Sequence, residues 1–135
     1  MIVLDASVLL KWFFPEEESS ARALEYRERH RTGQETIVVP DLLPYEIGNV
    51  LACKTKLPEA EVLDALTQLF RYELSVIAFP PESHLQAAHV ARRFRISVYD
   101  AAYLHLAEKK ECPFVTADAK LWRATRSLPF VHLLK

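Results

Sequence analysis

The hydrophobic residues of the chain fall into five short runs, separated by longer stretches with helical spacing. The first run, Met1–Leu4, contains no polar residue, which is typical of a strand covered on both faces. The other runs are Thr36–Val39, Ser75–Phe79, Phe114–Thr116 and Phe130–Leu133. Because strands alternate with helices, the pattern predicts one domain over residues 1–135, a three-layer α/β/α sandwich around a parallel sheet of about five strands.

Proline, glycine and capping residues mark the helices between these strands. The predicted helices are Val8–Phe14, Glu16–Arg31, Asp41–Lys56, Pro58–Tyr72, Glu82–Phe94, a helix that begins at Ser97, and Ala119–Ser127. Asp41 is expected to cap the third of them. Gly48 costs that helix about 1 kcal/mol relative to alanine, which indicates either the close approach of another segment or loose packing.

Four acidic residues occupy positions that a parallel sheet brings together. Asp5 and Asp118 follow strand ends, whereas Glu46 and Asp100 lie early in helices. In right-handed β-α-β units the helix N-termini lie at the edge where the strands finish, so all four acids should meet there. Two carboxylates about 5 Å apart repel by roughly 3 kcal/mol, which requires a cation nearby. Oxygen ligands favour a magnesium or manganese ion (Mg²⁺ or Mn²⁺) and, with it, phosphodiester hydrolysis.

Two of these acids, Asp5 and Asp100, also have a purely structural interpretation. Asp5 could cap the following helix, and Asp100 could complement the dipole of its own helix. Glu46 borders the apolar face of its helix and has no basic residue four positions later. Ser7 and Thr116, each two residues from an acid, either orient a carboxylate or phosphate oxygen or satisfy backbone groups.

Composition excludes several other chemistries. The 2 cysteines and 5 histidines lack the spacing of a zinc site, and 2 glycines cannot build a phosphate-binding loop. No apolar stretch approaches the roughly 20 residues that cross a membrane, so we expect a cytoplasmic protein without membrane association. The net charge of -1 is not that of a typical nucleic-acid-binding protein. The basic clusters are either a phosphate-binding rim or solvated helix faces, and they are Arg27–Arg31, Arg92–Arg95, Lys109-Lys110 and Arg123–Arg126.

Four segments in this order resemble the PIN domain family. They are Ile2-Val3-Leu4-Asp5-Ala6-Ser7, Tyr45-Glu46-Ile47-Gly48-Asn49-Val50-Leu51, Tyr99-Asp100-Ala101-Ala102-Tyr103-Leu104 and Val115-Thr116-Ala117-Asp118-Ala119-Lys120-Leu121. The resemblance covers nearly the whole chain, and the single-domain length is similar to that of VapC-type toxins from toxin–antitoxin pairs.

The resemblance implies a metal-dependent endoribonuclease. It implies that Mg²⁺ or Mn²⁺ is held by Asp5, Glu46, Asp100 and Asp118. It further implies that Ser7 and Thr116 line the site and that Asn49 lies close to Glu46. Similar proteins cleave structured RNA such as tRNA or ribosomal RNA (rRNA) loops, leaving a 5′-phosphate and a 3′-hydroxyl.

The resemblance also implies protein partners. Similar toxins form homodimers and are inhibited by a small cognate antitoxin that wraps around the toxin and inserts a basic side chain among the acids. By that analogy Leu9, Trp12 and Phe13 are candidates for the antitoxin groove. The residues alone leave two interpretations of the apolar cluster Trp12-Phe13-Phe14, core packing and a partner-binding surface.

Three alternatives to a toxin remain at this stage. The same site would serve a housekeeping RNA-processing nuclease, and a catalytically silent PIN-like module would only bind. A phosphorylated receiver-like domain fits poorly, because Asp5 is followed by Ala6 rather than by an acid and only Lys135 follows the last strand.

Overall fold

A computed structural model describes residues 1–135 as alternating strands and helices. The strands are β1 (Ile2–Leu4), β2 (Ile37–Pro40), β3 (Ser75–Ile77), β4 (Phe114–Thr116) and β5 (Val131–Leu133). The helices are α1 (Ala6–Leu10), α2 (Ser20–Arg31), α3 (Leu43–Cys53), α4 (Glu59–Arg71), α5 (Pro81–Phe94), α6 (Val98–Lys109) and α7 (Ala119–Thr125). None of the helices is both long and apolar enough to span a membrane.

The strands form one parallel sheet in the order β3-β2-β1-β4-β5. Every residue of β1, β2 and β4 is buried, as the unbroken apolar run of the first strand predicts. In the register of the sheet, Val3 lies beside Val38 on one side and Phe114 on the other. The predicted three-layer α/β/α architecture with a central parallel sheet of five strands is confirmed.

The strand order places a crevice at the centre of the sheet. The chain moves outward from β1 through β2 to β3, and then crosses back so that β4 and β5 lie on the other side of β1. Connections that diverge from neighbouring strands leave a gap beyond their carboxyl ends, where ligands bind in open α/β sheets. The residues that follow β1 and β4 therefore face this gap.

Helix α6 is the most deeply buried helix of the fold. Six of its residues are buried, so it has no wide polar face, which is typical of a helix enclosed by other elements. It packs against α5 and against β1, β2 and β4. The ring of Tyr103 lies 6.2 Å from that of Phe114, measured between centroids, which fixes the helix beneath the centre of the sheet.

The segment after β1 corrects one prediction about a partner surface. Helix α1 ends at Leu10 instead of Phe14, and the following turn directs Trp12 into the core, where its indole N–H donates to the Ala23 carbonyl at 2.9 Å. Leu9 is fully buried and Trp12 is 5% exposed. The prediction that Leu9 lines an antitoxin groove is therefore wrong, because Leu9 belongs to the core. Trp12 packs mainly in the core, but it also lines a surface cavity beside Phe13. Phe13 alone remains partly exposed.

Two helix starts also differ from prediction. Asp41 is exposed and does not cap α3, because Pro44 occupies the first turn and sets the start one residue before it. Glu16–Glu18 lie in turns before α2, which begins only at Ser20.

Gly48 does not mark the close approach of another segment. A methyl group built there would lie 3.8 Å from the nearest atoms, the terminal methyl groups of Leu66 on α4. That is an ordinary van der Waals distance, so loose packing explains this glycine.

Candidate functional site

All four predicted acids line one cavity of about 520 Å³ at the carboxyl edge of the sheet. Asp5 follows β1, Glu46 lies in the first turn of α3, Asp100 in the first turn of α6, and Asp118 follows β4. Ser7 and Asn49 line the same cavity. The sheet topology thus brings together acids that are up to 113 residues apart in sequence.

Asp5 occupies the N-cap position of α1, yet its carboxylate does not cap the helix. Its Oδ2 atom instead accepts hydrogen bonds from the Ser7 hydroxyl at 2.6 Å and the Thr116 hydroxyl at 2.8 Å. Burial raises the pKa of Asp5; the two hydroxyl hydrogen bonds lower it, and the charge of Asp118 raises it further. The capping interpretation of Asp5 is therefore wrong.

The two hydroxyls that hold Asp5 are themselves oriented by backbone amides. The amide of Ala117 donates to the Ser7 hydroxyl at 2.9 Å, and the amide of Asp118 donates to the Thr116 hydroxyl at 3.0 Å. Each hydroxyl has one proton, so an amide that occupies its acceptor side leaves that proton for the carboxylate. The hydroxyls therefore both orient a carboxylate and satisfy backbone groups. The other oxygen of Asp5, Oδ1, accepts no hydrogen bond from either hydroxyl. Thr116 is fully buried and does not line the cavity, contrary to what the resemblance implies.

Glu46 is held by a residue that the sequence did not single out. The Tyr103 hydroxyl, on the buried helix α6, donates to Glu46 Oε1 at 2.6 Å. Burial raises the pKa of Glu46 to about 7; the tyrosine hydrogen bond opposes this rise, and the charges of Asp5 and Asp100 add to it. The pKa of Tyr103 is itself raised well above its ordinary value, first by burial and then by the charge of Glu46, so the phenol stays protonated and remains a donor.

Asp100 lies three residues after the N-cap of α6, Ser97, whose hydroxyl accepts the Asp100 amide at 3.0 Å. Its carboxyl group lines the cavity and is half-buried. Burial raises its pKa to about 6, and the charge of Asp5 contributes next. Its position in the first turn also fits the helix dipole, but the dipole favours the charged form and does not explain a raised pKa.

Asp118 combines a cavity position with a structural role. One of its oxygens, Oδ1, caps α7 by accepting the amides of Lys120 at 2.9 Å and Leu121 at 3.1 Å. A cap of this kind stabilises a helix by about 1 kcal/mol. Its second oxygen makes no hydrogen bond within the chain.

The donor set suits a hard divalent cation, although it does not form a closed cage. In the arrangement shown, no group of three or more His, Cys, Asp or Glu side chains could hold a metal ion. Mg²⁺ in proteins is commonly held by one or two carboxylates and completed by water and substrate phosphates, which this open cavity allows. Burial raises the pKa of Asp5, Glu46 and Asp100, and the charge of a neighbouring acid adds to each rise, so a bound cation would favour their charged forms.

Three further residues of the cavity were missed from the sequence. Tyr45 and Tyr99 lie at its rim with 84% and 64% of their surfaces exposed, and Lys54 also lines it. A signal was present, because each tyrosine immediately precedes one of the acids in sequence.

A second cavity of about 460 Å³ lies away from the acids and offers less chemistry. Its histidine, His30, is committed to backbone: Nδ1 accepts the Ile37 amide at 3.1 Å, and Nε2 lies 2.9 Å from the Tyr72 carbonyl. These contacts give His30 a structural role.

The chain is similar to known proteins over nearly its whole length. The sequence model of the PIN domain matches residues 2–126. Ribonuclease VapC3 of Pyrobaculum aerophilum is 33% identical over 125 residues, which cover 89% of this chain and 91% of that protein.

Solved structures give the same fold at lower sequence identity. The VapBC2 complex of Rickettsia felis, bound to a DNA fragment from its promoter, matches with a TM-score of 0.70 and 16% identity over 100% of both chains. VapC20 of Mycobacterium tuberculosis, a sarcin–ricin loop cleaving toxin, matches with a TM-score of 0.69 and 14% identity over 93% of this chain and 95% of that one.

Proposed function

The chain belongs to the PIN domain family, and from that membership we propose that it is a divalent-metal-dependent endoribonuclease acting as the toxin of a toxin–antitoxin pair. Divalent metal dependence is general among PIN ribonucleases. We propose Mg²⁺ or Mn²⁺ as the ion, with Asp5, Glu46, Asp100 and Asp118 as the residues that hold it.

One observation supports the proposal above the others. Four carboxylates from four different elements line a single open cavity, and burial raises the pKa of three of them. Such an arrangement is unfavourable for the fold alone, because ionised carboxylates in a shared cavity repel each other. It is the arrangement expected where a cation and a phosphate complete the site.

Different residues of the chain would hold the ion and orient the carboxylates at this site. A bound divalent ion lowers the pKa of a water molecule and offsets charge on the scissile phosphate. Asp5 is held rigidly by Ser7 and Thr116, so its free oxygen has one fixed direction. Glu46 is steered by Tyr103 in the same way. Rigid placement of charge reduces the reorganisation needed during reaction.

The proposed substrate is structured RNA of the tRNA or rRNA class. Ribonuclease VapC3 and the sarcin–ricin loop cleaving toxin VapC20 act on RNA, and we extend that substrate class to this chain. Tyr45 and Tyr99 support the extension, because exposed aromatic rings beside a cavity are stacking surfaces for unpaired bases.

The proposed partners are a cognate antitoxin and a second copy of the chain. Structural neighbours occur as VapBC toxin–antitoxin complexes bound to DNA. Of the predicted groove residues, Phe13 is the most accessible; it lines a shallow cavity of about 280 Å³ with Leu57 and Ala65, and Trp12 also contributes to the lining. We propose that the antitoxin groove includes this cavity.

Cleavage of total cellular RNA by the purified protein tests the proposed function. Wild type is compared in Mg²⁺, in Mn²⁺ and in chelator with Asp100→Asn and with Asp64→Asn, an exposed aspartate of α4 outside the acid cavity. We expect discrete cuts with metal for wild type and Asp64→Asn, and none for Asp100→Asn or in chelator. The proposal would be overturned if wild type left RNA intact in both Mg²⁺ and Mn²⁺, or if Asp100→Asn cleaved RNA as well as wild type.

A further inference from the structure

A smaller cavity of about 260 Å³ adjoins the acid cavity and shares Asp100 and Asp118 with it. Arg95 and Lys120 line this side cavity, and both are exposed. Neither forms an ion pair, since every ion pair within 4.0 Å lies among residues 1–35. Two free cations therefore lie beside two of the acids.

Lys120 lies where its charge does not help the fold. It is the second residue of α7, next to the positive end of the helix dipole, where a cation is unfavourable by a few tenths of a kcal/mol or more. Its amide is bound to Asp118, so the backbone of Lys120 serves the cap while its side chain does not.

Arg95 also occupies a position where the local backbone conformation favours a different residue. It follows α5 with φ 56° and ψ 47°, a left-handed conformation in which glycine is favoured. Ser19, Glu73 and Glu111 also have positive φ, so the conformation alone does not distinguish Arg95. Arg95 is distinguished by its location. It has a backbone conformation that favours glycine, Lys120 has a charge that its helix disfavours, and the two side chains line the same cavity beside the acids.

We propose that Arg95 and Lys120 bind the phosphate backbone of single-stranded RNA where it leaves the acid cavity. The inference rests on the proposed ribonuclease function and adds the path of the substrate. A cavity lined by carboxylates repels a polyanion, so phosphates next to the scissile one need cations close by. The side cavity supplies two such cations within one nucleotide-sized space of about 260 Å³.

Binding of a fluorescein-labelled oligouridylate in chelator, followed by fluorescence anisotropy across a salt series, tests the path. The variant is Arg95→Gly with Lys120→Gln. Glycine suits the left-handed position, so the variant should melt at or above the wild-type temperature. The matched control is Arg92→Gln with Lys110→Gln, which removes the same charge from exposed positions outside both cavities.

We expect the variant to bind about tenfold more weakly at low salt, and the slope of log Kd against log salt to fall by roughly 0.7 for each lost phosphate contact. The control should keep most of the wild-type affinity and slope. Equal affinity and slope for variant and wild type would overturn the path, as would an equal loss in the control. If wild type still cleaves RNA, those results leave the ribonuclease function intact. Wild type that neither binds nor cleaves would overturn both.

Discussion

Replacing Asp100 with asparagine should stabilise the metal-free protein at neutral pH. Asparagine has the same shape, and the Asp100 amide still donates to Ser97. A carboxyl group with a pKa of about 6 in the folded chain and 3.8 ordinarily costs the fold at most about 3 kcal/mol at neutral pH. Because the side chain is half-exposed, solvent screening reduces this to on the order of 1 kcal/mol.

The pH dependence identifies the cause of that stabilisation. Below pH 3.8 the carboxyl group is protonated in both the folded and the unfolded chain, so wild type carries no penalty. The penalty grows as pH rises from there and is complete above about pH 6, when the folded form has also lost its proton. Asparagine has no such proton. The stability of the variant relative to wild type should therefore increase as the pH rises from 3.8 to about 6.

Thermal melting in chelator across that pH range, with Asp64→Asn as control, measures the effect. A gain of about 1 kcal/mol corresponds to a rise in Tm of about 4 °C for a chain of this size. Adding Mn²⁺ should reverse the order, because an ion at 100 times its Kd stabilises a binding protein by about 2.7 kcal/mol and the variant lacks one of the proposed ligands. A variant that melts clearly below wild type in chelator at neutral pH would refute the reasoning and assign Asp100 a structural role.

Three further substitutions follow from contacts in the structure. Tyr103→Phe removes the hydrogen bond that lowers the pKa of Glu46, so that pKa should rise above about 7 and the acidic limb of the pH–activity profile should move to higher pH; an unmoved profile would contradict the coupling. Thr116→Val should cost about 1–3 kcal/mol in denaturant unfolding, because it removes a hydroxyl from Asp5 and leaves a backbone amide without an acceptor, and Thr116→Ser should restore most of it. Gly48→Ala should raise the stability by up to about 1 kcal/mol with unchanged RNA cleavage, since there is room for the methyl group; a lower Tm would mean that α3 and α4 pack more tightly than they appear.

The sequence was most informative where a signal is local. An unbroken apolar run marks a buried strand, and an acid directly after such a run or in a helix's first turn lies at the carboxyl edge of the sheet. These rules were enough to predict the architecture and to bring Asp5 and Asp118 to one cavity. They could not predict the bond between Tyr103 and Glu46, because those residues are 57 apart in sequence and meet only through the packing of α6.

The partner surface was harder to predict, because the hydrophobicity of a side chain does not reveal whether it points into the core or toward the surface. Leu9, Trp12 and Phe13 are all apolar. If the helix had continued to Phe14, helical spacing would have fixed the face of the helix on which each of them lies. The chain turns after Leu10 instead, which buries Trp12 and leaves Phe13 at the surface. Where a short helix ends is decided by a few hydrogen bonds, a balance too fine for the pattern of residues to reveal.

The long separation between Asp5 and Thr116 also governs when this protein can act during its own synthesis. The hydroxyl that anchors Asp5 is made 111 residues after it, together with the central strand β4. At ribosomal rates of 5–20 residues per second, the chain exists for about ten seconds with its first strand complete and its acid cavity unassembled. A nascent or prematurely terminated chain that lacks β4 also lacks Asp118 and the support of Asp5. The acid cavity therefore assembles only after residue 118 has been made, so a ribosome must translate through β4 before the proposed ribonuclease site exists.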